Sequence, residues 1–178
     1  QDIRFIEMKK DFFWFLMTWT LSGLWVFLTY AAGLLAMTSI SAEGSFSYYQ
    51  YFCLILGSFI WIVGFLIEVI SDHQKKIFRR NLSNKGMFIK TGLWAWSRHP
   101  NYFGEILLWT GISIIALPTM AGLKFIVLIS PIFVYVLLTK ISGIPMLEKS
   151  SDMKWGNDPS YIEYKKNTPE LFLKKPNL

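Results

Sequence analysis

The chain alternates long apolar runs with shorter charged ones. The first run, residues 12–37, holds no charged side chain. The second, 48–70, is charge-free until Glu68. The third, 102–118, is shorter and carries Glu105, and the fourth, 123–138, contains Pro131. A helix needs about 20 mostly apolar residues to cross a bilayer, with a working range of roughly 17–25. The first two runs meet that length alone. The third and fourth are joined by the tight turn 119–122 and read as a helical hairpin, each sheltering the other. Pro131 is expected to kink the last helix, because it lacks an N–H and frees a carbonyl that neighbours must satisfy. The pattern predicts an all-α fold: a polytopic membrane bundle of about four spans, one domain over 1–178, ending in an amphipathic cytosolic segment.

Composition supports that pattern. Hydrophobic residues make up 53% of 178 positions and charged residues 17%, with a mean hydropathy of +0.36. A soluble domain carries about 25% charged residues. A disordered chain is excluded, since it would need low hydrophobicity and high charge. A disulfide scaffold is excluded too, because Cys53 is the single cysteine. The aromatic fraction of 17% fits bilayer walls and interfacial belts.

Charge then gives an orientation. Three basic residues (Arg4, Lys9, Lys10) precede the first run, and segment 38–47 has none. Segment 71–101 has seven, the next turn has Lys124 alone, and the tail from residue 140 has seven. Basic loops stay on the cytoplasmic side. The N-terminus, the 71–101 loop and the tail are therefore expected to face the cytoplasm. The membrane would be the endoplasmic reticulum in a eukaryote or the inner membrane in a bacterium. The net charge of +6 follows from this topology and from anionic headgroups, so no nucleic-acid partner is expected.

Ionisable groups near a span point to function by default. Glu68 and Asp72 lie four apart and share a helix face. A solvated helix end answered by Lys75, Lys76 or Arg79 is the structural alternative. Asn101 and Glu105 are also four apart, at the start of the third run, where Pro100 suits a first helical turn. Arg98, His99, Asn101 and Tyr102 crowd the same place, and a helix N-terminus beside Arg and His suits an anion. Gly104 and Gly111 are two turns apart and favour close helix packing. In the tail, Tyr161, Tyr164 and Lys165 cluster within one turn. Either they lie on the headgroups, or they form a lid in which Tyr161 donates to a ligand and Lys165 or Lys166 meets phosphate. No CxxC, HExxH, P-loop, GxGxxG or GxSxG pattern occurs, so no metal is expected.

Taken together, these residues resemble a known family. The run Gly92 to Ile106, with Arg98-His99-Pro100-Asn101-Tyr102-Phe103-Gly104-Glu105 at its centre, resembles the C-terminal domain of the steroid 5-alpha-reductase-like superfamily. More narrowly it resembles a multi-span branch once labelled a domain of unknown function. Glu68, Asp72, Gln74, Lys75 and Phe78 match that branch's loop, Asp158 to Thr168 its tyrosine block, and Asp2-Ile3-Arg4-Phe5 an element before a span. The resemblance implies a cytosol-facing pocket for NADPH. It also implies reduction of a carbon–carbon double bond conjugated to a carbonyl, in a hydrophobic, lipid-like substrate such as a steroid. Cofactor contacts would fall on Asn101, Glu105, Asp72 and Tyr161, with Glu68, Tyr102, Arg98 and Arg4 as further candidates. The catalytic acids of the steroid reductases have no counterpart in this chain. They are expected upstream of Gln1, in a sequence that is N-terminally incomplete. The spelling Arg98-His99-Pro100 also resembles the related isoprenylcysteine carboxyl and phospholipid methyltransferases. That reading implies S-adenosylmethionine held by His99, Tyr102, Gly104 and Glu148. A non-catalytic membrane protein retaining the fold is the third alternative.

Overall fold

A computed structural model describes residues 10–39 and 46–176. Within them every regular element is helical. Three long helices come first: α1 (Phe12–Ser39), α2 (Tyr48–Arg80) and α3 (Pro100–Ala116). A 3-10 run, Gly122–Leu128, leads into α4 (Ile129–Val136), which passes into a π-helical turn, Leu137–Ile141. Two short polar helices follow, α5 (Ile144–Trp155) and α6 (Pro159–Asn167).

Four helical stretches are long and apolar enough to cross a membrane: Phe12–Ser39, Tyr48–Arg80, Pro100–Thr119 and Gly122–Trp155. In their most apolar windows only 17% to 22% of residues are buried within the protein. Phe52, Ile55, Phe59 and Leu123 stand open to the surroundings. Water does not tolerate so much contiguous apolar surface on a monomer. The protein is a multi-pass membrane protein, as its hydrophobic pattern predicts.

Two elements differ from that pattern. Helix α2 does not stop near residue 70 but continues to Arg80, giving 33 residues and a length of about 50 Å. Its start is fixed by a capping box, with Gln50 N–H donating to Ser47 Oγ and Ser47 N–H to Gln50 Oε1. Its far end carries Arg79 and Arg80, which suit a helix C-terminus. The fourth span is irregular rather than a single α-helix. Pro131 sits in the first turn of α4 and has no N–H to bond back along the chain, so the preceding turns tighten into a 3-10 form.

The seam between α2 and α3 is the closest in the bundle. A Cβ placed on Gly64 would lie 2.6 Å from the carbonyl oxygen of Gly104, and one on Gly57 would lie 2.6 Å from that of Gly111. The reciprocal positions are equally tight. Lipid gives no hydrophobic drive between helices, so small residues that allow backbone contact supply the packing. Helix α1 packs through another small-residue face. Ala32 and Ala36 meet Ala116 and Met120 in a buried cluster, and Ser130 Oγ donates to the Thr29 carbonyl at 2.9 Å.

Gly64→Ala is expected to cost about 1–3 kcal/mol, since backbone atoms cannot yield as a side chain would. Gly23 has nothing within 4 Å of its would-be Cβ, so Gly23→Ala should cost nothing. Thermal melts of the two variants in detergent check the contrast.

Candidate functional site

The polar end of the bundle holds two distinct groups of residues. The first is acidic. Glu68 and Asp72 on α2 and Glu105 on α3 lie within electrostatic reach of one another. The glycine seam causes this, because a Cβ on Gly104 would sit 3.1 Å from the Cβ of Glu68. Among the described residues no cation lies within ion-pair distance of the three, although Lys75 and Asp72 attract one another at longer range. Asn101 is half-buried in the first turn of α3, and Tyr102 beside it is within reach of Glu105 and Asp72.

The second group is a cavity of about 300 Å³ between the extended end of α2, segment 87–99 and helices α5 and α6. Phe88, Trp94, Trp155, Tyr161 and Tyr164 supply its aromatic wall. Phe88 is the hub, with its ring centroid 5.2 Å from Tyr161, 5.4 Å from Tyr164 and 5.8 Å from Trp155. Trp94 is held by its indole N–H, which donates to the Ser71 carbonyl at 2.9 Å. Tyr164 donates to the Trp94 carbonyl at 2.6 Å. Burial pushes the Tyr164 phenol well above its usual range.

Cations ring the same cavity. Lys75 sits over the Trp94 ring at 4.6 Å, and Lys154 over Trp155 at 4.4 Å. Arg79 and Arg98 also line it. Arg98 pairs with Glu148 at 3.0 Å, and its Nε is buried without a hydrogen-bond partner. His99 Nε2 reaches the other oxygen of Glu148 at 2.9 Å, and Lys165 reaches Glu148 at 3.1 Å. One carboxylate thus sits among Arg98, His99 and Lys165. For Lys75, Arg79 and Lys154 no carboxylate lies within ion-pair distance among the described residues.

The residues singled out in the sequence divide between the two groups. Arg98 and Tyr161 line the cavity, whereas Asn101, Tyr102, Glu105, Glu68 and Asp72 gather on the acidic side. Arg4 lies outside the described residues. The His99 and Tyr102 rings stack 14° from parallel with centroids 5.7 Å apart, and so join the two groups. The Tyr161 hydroxyl donates to Asp152 at 3.0 Å. Burial, then that hydrogen bond, pushes its phenol up to about 12. Lys165 is committed to Asp152 at 2.6 Å and to Glu148. Burial works to lower its ammonium, but these two bonds win and hold it above its usual value. Gly104 is occupied by helix packing.

Lys75, Arg79, Lys154 and Phe88 were not singled out as ligand residues. The signal for the first two was their spacing along one helix face. It becomes readable only when α2 is continued past residue 70.

A family model described as "Protein of unknown function (DUF1295)" matches residues 1–168. The chain belongs to the DUF1295 family. It is also similar over a limited stretch to curated proteins. "3-oxo-5-alpha-steroid 4-dehydrogenase 1" of Mus musculus is 31% identical over 35% of this chain and 24% of its own length. The Bos taurus protein of that name is 33% identical over 33% of this chain and 23% of its own length. "Probable O-methyltransferase ustE" of Ustilaginoidea virens is 29% identical over 57% of this chain and 41% of its own length. The chain thus spans about a quarter of the length of the two steroid dehydrogenases it matches. No solved structure matches at the same significance.

Glu148→Gln keeps the shape but leaves Arg98 and Lys165 without their shared anion. It should cost on the order of 1–3 kcal/mol. Glu170 is half exposed and 3.8 Å from Arg98, so Glu170→Gln should change stability by less than about 1 kcal/mol. Denaturation of the two DUF1295 variants side by side checks this.

Proposed function

We propose that this DUF1295 protein is an NADPH-dependent membrane oxidoreductase. Its reaction would be reduction of a carbon–carbon double bond conjugated to a carbonyl in a steroid or other lipid. The observation that carries the reading is the charge of the aromatic cavity. Lys75, Arg79 and Lys154 line it without carboxylate partners, two of them resting on aromatic rings. NADPH offers several phosphate charges and flat ring systems, and suits such a wall. S-adenosylmethionine brings a positive sulfonium, which like charges oppose. A volume near 300 Å³ is at the lower end for ligand pockets and fits the adenosine-phosphate end alone. The other end would reach past the His99–Tyr102 stack to Asn101, Glu105, Glu68 and Asp72. Carboxylates there can accept bonds from ribose hydroxyls and a carboxamide. The partial similarity to steroid dehydrogenases agrees with this class of substrate.

When bound, NADPH supplies the hydride. The residues of this chain hold and orient it, with Lys75, Arg79 and Arg98 on phosphate and Asn101 with Glu105 on the amide end. The acid that polarises the substrate carbonyl is not assigned to a residue of this chain. Residues 1–178 form one membrane domain whose cavity opens to the cytoplasm, where soluble dinucleotides are found. A second reading is favoured by one observation: His99, Tyr102 and Glu148 do come together, as an S-adenosylmethionine site of the methyltransferase kind requires. The similarity to ustE agrees with it.

Melting of the detergent-solubilised protein with NADPH, NADH or S-adenosylmethionine decides between them. NADPH should stabilise most, by about 2.7 kcal/mol at a hundred times its Kd, and less at high salt. Asn101→Ala and Glu105→Ala should each weaken it. Stabilisation by S-adenosylmethionine alone would overturn the reductase reading. Stabilisation by neither would point to a non-catalytic membrane protein, and unchanged NADPH affinity in both variants would sink the site assignment.

A further inference from the structure

The segment bearing Arg98 and His99 belongs to no helix. It lies between a short 3-10 turn, Gly92–Ala95, and the start of α3. Its backbone must therefore find partners elsewhere. It finds them in residues 169–174, an irregular stretch that runs back from α6 and lies beyond the part of the chain matched by the family model. Arg98 N–H donates to the Pro169 carbonyl at 2.9 Å, and Lys174 N–H donates to the Trp96 carbonyl at 3.0 Å. Between them, Ser97 Oγ donates to the Leu171 carbonyl at 2.8 Å. The same oxygen accepts the His99 N–H at 3.1 Å. Phe172 packs edge-on to Phe103 of α3, with ring centroids 5.9 Å apart. Ser97 is wholly buried and Leu171 nearly so. One hydroxyl thus bonds at once to the strap and to the backbone of the histidine that meets Glu148.

We propose that residues 169–174 are a positioning strap for the ligand site, acting through Ser97 to set Arg98 and His99 against Glu148. The proposal rests on the reading of the cavity as an NADPH site. Neither Ser97 nor the strap touches the ligand in this scheme. Ser97 is a positioning residue, and loss of its hydroxyl removes the link while leaving the cavity wall intact.

The test is Ser97→Ala in the full chain, read three ways. First, exchange of the Arg98 and Lys174 amides should accelerate while amides in the α2–α3 seam stay protected. Second, in the ligand-free protein the His99 ring resonances should shift, with those of His73, the other histidine, unmoved. Third, the NADPH Kd, followed by quenching of Trp94 and Trp155 fluorescence, should rise about tenfold, the size expected for one buried hydrogen bond. Phe172→Ala loosens the strap without touching the hydroxyl and should move all three readouts in the same direction. It carries the test if Ser97→Ala does not fold. An unmoved His99 resonance, or an unchanged Kd alongside released amides, overturns the proposal. If the unaltered protein does not bind NADPH, the cofactor reading fails, and the His99 resonance still decides whether the strap positions the turn.

Discussion

Helices α2 and α3 meet backbone to backbone at Gly64–Gly104 and Gly57–Gly111. Two contact points two turns apart fix the rotation, the register and the crossing of the pair together. A side chain at any of the four places would have to displace main-chain atoms. The contact also decides the chemistry above it. Glu68 lies one turn beyond Gly64, and Glu105 adjoins Gly104, so the closest approach of the backbones brings two carboxylates together. Asp72 follows one turn later, and Lys75 and Arg79 after it. The α2 members of the acidic group and of the basic cavity thus lie on successive turns of one helix.

Charge around the cavity is paired at Glu148 and Asp152 and separated elsewhere. A surface ion pair contributes little to stability, and lone charges near a membrane are costly. Yet among the described residues no cation is within ion-pair distance of the acidic trio, and Lys75, Arg79 and Lys154 have no carboxylate within it, although the two groups meet on neighbouring turns of α2. Among the described residues Glu148 is the most heavily matched carboxylate, between Arg98, His99 and Lys165. Its attachment to α5 draws the two short polar helices over the cavity. That ion cluster ties the polar helices to the Arg98–His99 turn, beside the aromatic contacts of Phe88 and the Tyr164–Trp94 hydrogen bond.

The spans were legible in the sequence because lipid imposes a simple rule on length and polarity. Gly104 and Gly111 were legible as packing residues for the same reason. Glu105, Glu68 and Asp72 stood out because ionisable groups near spans are costly, and Asn101 because it lies four residues before Glu105. The cavity was legible in part, through Arg98 and Tyr161, but its Trp94 wall was not. Trp94 is one of eight tryptophans, and nothing local distinguishes it from Trp96, which stays substantially exposed. Its burial comes from Ser71, twenty-three positions earlier. Ser97 carries little local signal, since the carbonyl it donates to lies more than seventy residues away. The true end of α2 was missed because eight of its last ten residues are polar. Hydropathy marks where a membrane stops, not where a helix does.

The uninterrupted length of α2 has a mechanical consequence. Its description as one helix from Tyr48 to Arg80 leaves no hinge between the hydrocarbon region and Lys75 or Arg79. Spanning helices tilt to match the thickness of the bilayer around them. A rigid rod carries that tilt undiminished to its tip, about 15 Å past residue 70. The opposite wall of the cavity, on α5, is joined to its own span through a π-helical turn and Gly143, and does not share the rod's stiffness. Any change of tilt in that rod therefore moves Lys75 and Arg79 with the membrane-embedded half of the helix, as one piece.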